Sequence, residues 1–357
     1  MALNAKALVA AAGLLALSWS PASAIEAFVN PQSKPGVLIG ASAGVPPPGI
    51  YMFDQVFTYQ SNAVGPGVKS LAPLGVNSNV GFQVAVDAQG FLFVPGWTFL
   101  GATYDAVIVQ PFVMGSLGSP FNIQESGVHN TYIVPVELSW RLGTSGFAIK
   151  AGLGMFVPDG TQHTFIPGVT GSALGPRGTG YPFVGDPYWT FQPEVIVSYL
   201  KDGWNLSAAI YEEINTRNTA TQYKTGNILH ADFTATKTIG KWTIGPVAYY
   251  FGQVSDDSCP ALTCGYASGT LLNAQRFDVW AAGGLLGYNF GPANLSVWAT
   301  QEISAKASNP AASAAALAAF GLTGDASLTH QGFTVFATLS YRLWGPDEAA
   351  KPALIHK

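Results

Sequence analysis

Alternation is the most regular feature of the chain. In Gly203–Asn215, Trp204, Leu206, Ala208 and Ile210 fall on one side, with Asn205, Ser207, Tyr211 and Glu213 on the other. Gly226–Ile239 sets Leu229, Ala231, Phe233 and Ala235 against His230, Asp232, Thr234 and Thr236. Asn294–Ile303 sets Leu295, Val297 and Ala299 against Ser296, Trp298, Thr300 and Glu302. A period of two marks strands, because successive side chains leave a strand on opposite faces. About twelve such segments are predicted, near 49–60, 80–95, 102–115, 129–142, 146–158, 187–200, 203–216, 226–239, 241–254, 275–289, 293–305 and 330–343. Short turns at Gly143–Gly146, Lys201–Gly203, Gly240–Lys241 and Phe290–Pro292 alternate with longer loops at 61–79, 116–128, 159–186, 217–225, 255–274 and 306–329. That alternation predicts an all-β fold, a transmembrane antiparallel β-barrel over 49–344 with short periplasmic turns and long extracellular loops. An even strand number also returns both ends of the barrel to the same side.

The ends of the chain sharpen this picture. Met1–Ala24 carries one early positive charge, Lys6, then an apolar run Ala7–Leu17 and the small residues Ala22 and Ala24. This reads as a signal peptide cleaved near Ala24, too short in its apolar part to span a bilayer. Residues 25–48 are rich in Pro and Gly and include Pro46-Pro47-Pro48, which cannot enter a sheet interior. They read as a periplasmic segment able to tuck into the barrel mouth, too short for a full plug domain. In the last strand, Phe333, Val335, Ala337, Leu339, Tyr341 and Leu343 make an unbroken apolar face closed by Trp344. Such a strand suits recognition by the barrel-insertion machinery, although residues 345–357 follow it as a C-terminal periplasmic tail.

Composition agrees with a wall that meets lipid. Only 10% of residues are charged and mean hydropathy is +0.25, yet no run after Ala24 has the length of a spanning helix. Strands in a closed barrel let so apolar a chain face hydrocarbon with every backbone group paired. Net charge is −4, or −5 once Lys6 leaves with the signal peptide, which argues against nucleic acid as a partner. Cys259 and Cys264 are close in sequence and predict a local disulfide in an oxidising compartment. Two cysteines are too few for zinc, and the five histidines show no paired spacing, so no metal or cofactor is expected. Tyr51, Trp97, Trp140, Tyr199, Trp204, Trp242, Tyr288 and Trp344 lie near predicted strand ends, as aromatics of a headgroup girdle do.

Several longer stretches carry a resemblance. They are Pro47–Tyr51, Gly185–Pro193 running on into Tyr199–Ser207, Tyr211–Asn218 with Tyr223–Asn227, Gly240–Gly245, and Tyr249-Tyr250. Together they resemble the meta-pathway phenol-degradation (SphA-like) family of outer-membrane proteins, most densely over 185–257. The resemblance implies an outer-membrane barrel of a Gram-negative bacterium, associated with uptake of aromatic or other apolar compounds. It implies no catalytic motif.

With apolar faces turned to lipid, the opposite faces line the lumen. That rule places Glu137, Arg141, Lys150, Glu194, Tyr211, Glu213, His230, Asp232, Arg276, Asp278, Trp280, Trp298, Glu302 and Arg342 inside. Most of these charges read first as a paired network that fills and stiffens a narrow barrel. Their functional reading is a path for a polar-tipped aromatic solute, positioned by the charges and by Tyr211, Trp280 and Trp298. The expected partners are outer-membrane lipid, the insertion machinery and small apolar or aromatic solutes. Two alternatives stand beside a channel. One is a structural or surface-binding barrel without transport. The other is a lipid hydrolase, disfavoured because no His is followed two residues later by Ser.

Overall fold

The computed structural model describes residues 31–70, 72–74, 81–117, 123–161, 184–218, 222–258, 276–308, 321–325, 327 and 329–346. Among them the strands are β1 (Gly49–Val64), β2 (Gly81–Val94), β3 (Thr98–Phe99), β4 (Ala102–Leu117), β5 (Ile123–Val128), β6 (Thr131–Arg141) and β7 (Phe147–Val157). The second half supplies β8 (Thr190–Tyr199), β9 (Trp204–Asn215), β10 (Ile228–Ile239), β11 (Trp242–Gln253), β12 (Arg276–Asn289), β13 (Ala293–Ser308) and β14 (Thr329–Trp344). The signal peptide, Cys259 with Cys264, and the tail from 347 onward lie outside the described residues.

All pairings are antiparallel, and the sheet closes on itself. Ile50–Val64 of β1 pair with β14 from Trp344 back to Thr329, while the other edge of β1 pairs with β2. The ring then runs β2, β4, β6, β7, β8 and onward in sequence order to β14. The wall is therefore a closed barrel of twelve strands, as the alternation predicted. β3 forms a small hairpin with the start of β4 at the periplasmic rim. β5 corrects the expectation of a loop over 116–128, because Ile123–Val128 pair with Phe112–Leu117 and prolong β6 beyond a break at His129–Asn130. Gly115-Ser116 and Gly118-Ser119-Pro120 look like loop composition, yet β4 offers its edge to whatever follows, and six residues take it.

The outer face is apolar at mid-height. Val56, Ile108, Val195, Val197, Ile210 and Leu286 are exposed there, a band that water would not tolerate and hydrocarbon would. Trp97, Trp204, Trp242 and Trp344 stand out from the wall beside the short turns. Trp242 packs edge-on to Tyr288 at 4.6 Å. Tyr51 differs from the other girdle candidates in donating its hydroxyl to the Pro47 carbonyl at 2.7 Å.

A barrel of eight strands is filled by its own side chains, whereas twelve leave room inside. Two devices fill that room. One is a set of large inward side chains, with Phe336 stacked 4.8 Å from Trp298 and also 4.8 Å from Phe57. The other is the segment ahead of β1. Pro31–Gly44 threads the lumen from the level of Glu213 on β9 down to Ser198 on β8, then leaves at the periplasmic rim to begin β1.

Candidate functional site

The threaded segment, here called the strap, is built from consecutive turns. Val37 N donates to Lys34 O, Ile39 N to Gly36 O, and Ala41 N to Leu38 O, at 3.0 to 3.2 Å. Each turn consumes one amide and leaves the next free to point at the wall. Those free amides meet wall oxygens. Gly36 N and Leu38 N donate to the two carboxylate oxygens of Asp232 at 3.0 and 2.9 Å, and Gly40 N donates to Thr234 Oγ1 at 2.8 Å. Further up, Gln32 N and Ser33 N donate to the two oxygens of Glu213 at 3.1 and 2.8 Å. Ala43 N reaches Ser198 Oγ at 2.8 Å near the periplasmic end. The turns need left-handed backbone at Gly36 (φ 88) and Gly40 (φ 87), which other residues rarely adopt. A Cβ on Gly36 would also come within 3.0 Å of the Tyr249 ring.

Three charged constellations face this lumen. In the first, His230 lies between the rings of Tyr211 (4.6 Å, 9°) and Phe251 (5.8 Å, 20°). Its Nε2 is 3.0 Å from Glu213 Oε1, a close ion-pair distance without an aligned hydrogen bond. In the second, Lys150 Nζ sits 3.1 Å from Asp105 and 3.3 Å from Glu137, tying β4, β6 and β7 together, with Glu194 close by around Gly152. The third centres on Glu302. Its carboxylate accepts from Tyr249 Oη at 2.8 Å, Tyr59 Oη at 3.0 Å and Gly332 N at 2.6 Å, and lies 3.9 Å from Lys34 Nζ of the strap. Burial lowers the Lys34 ammonium to about 8, although Glu302 and then Asp232 pull it back upward.

Opposite the polar wall of β8–β10 the lumen is apolar. A cavity of about 240 Å³ lies between the strap and the inner faces of β1, β2 and β4. Phe57, Val84, Val86, Val107, Val109 and Val113 line it on the wall side, and Lys34, Pro35 and Val37 on the strap side. The lumen therefore has two sectors: one binds the strap through backbone amides, and the other is mostly hydrocarbon, with Lys34, Tyr59 and Glu302 among its few polar groups.

The predicted lumen residues divide along this geometry. Glu137, Lys150, Glu194, Tyr211, Glu213, His230, Asp232, Trp298 and Glu302 are buried inside the barrel, gathered in the constellations above and around the strap. Trp298 Nε1 donates to the Gly36 carbonyl at 3.2 Å. Arg141 and Arg342 are exposed at the periplasmic rim, where Arg342 donates to Pro48 O at 2.5 Å. Arg276, Asp278 and Trp280 are corrected: they alternate with the buried Phe277, Val279 and Ala281 and so face outward. Arg276 instead pairs with Asp256 at 2.8 Å on the exposed surface, and Trp280 stacks over the outward Phe233 at 6.4 Å. The cause is that Phe277, Val279 and Ala281 join the inner cluster of Tyr249, Phe251 and Phe336, so here the apolar face turns inward.

Sequence reasoning missed Asp105, Tyr59, Tyr249 and Lys34. Asp105 was hidden because both faces of β4 are mostly apolar, so neither could be assigned to lipid by composition. Lys34 lies outside any strand, and alternation carries no information about it.

Residues 54–320 match the family model described as Putative MetA-pathway of phenol degradation. No curated relative matches the sequence. Among solved structures, the chain is similar to an outer membrane channel from Pseudomonas putida F1, with 11% identity over 87% of this chain and 99% of that one and a TM-score of 0.62. The β domain of the Bordetella autotransporter BrkA is 11% identical over 82% of this chain and 99% of its own, with a TM-score of 0.42. The toluene transporter TbuX of Ralstonia pickettii is 8% identical over 92% of this chain and 99% of its own, with a TM-score of 0.40.

Proposed function

The chain belongs to the MetA-pathway phenol-degradation family, and from that premise we propose that it is an outer-membrane channel through which small apolar and aromatic compounds diffuse. The first structural neighbour is itself an outer membrane channel. One observation carries the reading. The space left inside the barrel beside the strap is walled mainly by valines and phenylalanines, with polar side chains such as Gln55, Gln192 and Glu302 as the minority of its lining. A water-filled pore for polar solutes has a polar interior. A lane of this kind instead favours solutes that lose little on leaving water.

The strap sets the default state in this reading. Its amides are held by Glu213, Asp232, Thr234 and Ser198, which keeps the polar sector closed to water and ions while the apolar lane stays available. No chemistry is assigned to the lumen. Among the described residues His230 lies against Glu213, Tyr211 and Phe251, and its ring nitrogens have no hydrogen bond to a serine hydroxyl of the kind a hydrolase would activate.

The test is uptake of a radiolabelled monoaromatic by cells with and without the protein. Uptake should rise several-fold with the protein and fall at least about fivefold in Val86→Asp, which puts a charge in the lane while leaving the strap's amide bonds and the strand pairing in place. Unchanged uptake in Val86→Asp would remove the lane from the mechanism. Equal uptake with and without the protein would favour a structural barrel whose lumen the strap permanently fills.

A further inference from the structure

Lys34 is an ammonium in a place where an ammonium needs a reason. Its Nζ sits 3.9 Å from the centroid of the Tyr59 ring and 5.4 Å from that of Tyr249, with Glu302 at 3.9 Å. Two aromatic faces and a carboxylate around a cation make a cage, because ring faces are negative and attract positive charge. The parts belong to β1, β11 and β13, and they are fixed to one another without help from the strap. Glu302 accepts from both tyrosine hydroxyls and from Gly332 N at 2.6 to 3.0 Å, all shorter than its contact with Lys34. The wall is thus a complete receptor, and Lys34 is its most loosely held component.

The cage also opens in a useful direction. Lys34, Tyr59 and Glu302 all line the apolar cavity, beside Phe57, Phe82 and Val84. A molecule lying in that lane with a positive end would reach Tyr59 and Glu302 with its charge while its body stayed among hydrocarbon. A neutral molecule would leave Lys34 in place.

We propose that the Tyr59–Tyr249–Glu302 cage is a binding site for apolar amines, in which an alkyl- or arylalkylammonium replaces the ammonium of Lys34. The strap is then a built-in competitor that mimics the head of the ligand. This deepens the channel reading and rests on it for the route by which the amine arrives, while the binding itself is measured without transport.

The experiment uses the full chain in detergent at pH 7 with two probes of matched shape, 2-phenylethylammonium and 2-phenylethanol. In Lys34→Ala, where the competitor is gone, calorimetric titration should show the amine binding at least about tenfold tighter than the alcohol. Adding Glu302→Gln should abolish that preference. In the wild-type protein, saturating amine should speed amide exchange at Gly36 and Leu38 several-fold by loosening the strap, and the alcohol should not. This arm needs no substitution, so it decides the matter even if a variant fails to fold. Equal affinity for amine and alcohol in Lys34→Ala, or strap exchange indifferent to the amine, overturns the proposal. Loss of amine preference with monoaromatic uptake intact would sink this site alone. Intact preference with no uptake would sink the channel and leave the site standing.

Discussion

Asp232 shows how much one side chain can organise. It is buried, and both its oxygens accept strap amides, from Gly36 and from Leu38. Charge-assisted bonds of this kind are worth more than neutral ones, and each amide left without a partner adds a penalty. Asp232→Ala should therefore weaken strap seating by on the order of 3 kcal/mol, more than a hundredfold in the ratio of seated to released forms. Liposome swelling in a small sugar should rise clearly over wild type, while the barrel itself stays folded, because strand pairing does not involve this side chain. Unchanged swelling would mean that the strap is held elsewhere. Phe336 makes a different contribution. It is fully buried between Trp298 and Phe57, so Phe336→Ala opens a cavity and should cost about 3–5 kcal/mol. Phe333, three residues earlier, faces outward, and lipid can fill the space it vacates. Phe333→Ala should shift the guanidinium midpoint by much less than Phe336→Ala does, and equal shifts would contradict the assignment of faces.

Strands were legible where one face was polar and the other was not. β9, β10 and β13 have that contrast, and their inward residues Glu213, His230, Asp232 and Glu302 follow from it. β12 lacks it, because its inward side must pack against Tyr249, Phe251 and Phe336 and is itself apolar. A polar-in rule then selects Arg276, Asp278 and Trp280, the wrong side. β13 carries the compensating irregularity, since Trp280 pairs with Ser304 while Ala281 pairs with Glu302, leaving Ile303 bulged outward. The strap was legible as a Pro- and Gly-rich segment able to enter the barrel mouth, but not as one that threads the lumen. Its contacts with the wall rest mainly on backbone amides, which every residue has, so the side-chain pattern does not reveal its partners. Between β4, β6 and β7, Lys150 compensates Asp105 and Glu137 at once. Lys150→Met should destabilise the barrel by about 3–5 kcal/mol, since it strands two buried acids. Combining it with Asp105→Asn and Glu137→Gln should recover most of that loss in the same unfolding assay. Failure of the triple variant to recover would show that Lys150 matters for packing rather than for charge.

At the scale of the whole molecule, the seating of the strap in the barrel is expected to shift with proton concentration. Burial lowers Lys34 to about 8 in the seated strap, against 10.5 for an ordinary lysine such as the released strap would present. Between those values the released form holds the extra proton, so raising pH favours the seated form. Below pH 8 the ammonium is charged in both forms, and the cost of burying it is present in full. Above 10.5 it is neutral in both, and that cost has gone. Opening frequency in planar bilayers should therefore fall as pH rises from 8 to 10, by up to about tenfold for each unit because one proton is involved. Lys34→Met buries no charge at any pH. Its opening frequency should already be low at pH 7 and stay level through this window. If wild type opens more often as pH rises, or if the Lys34→Met variant keeps the full slope, then the ammonium of the strap is not what sets the balance between closed and open lumen.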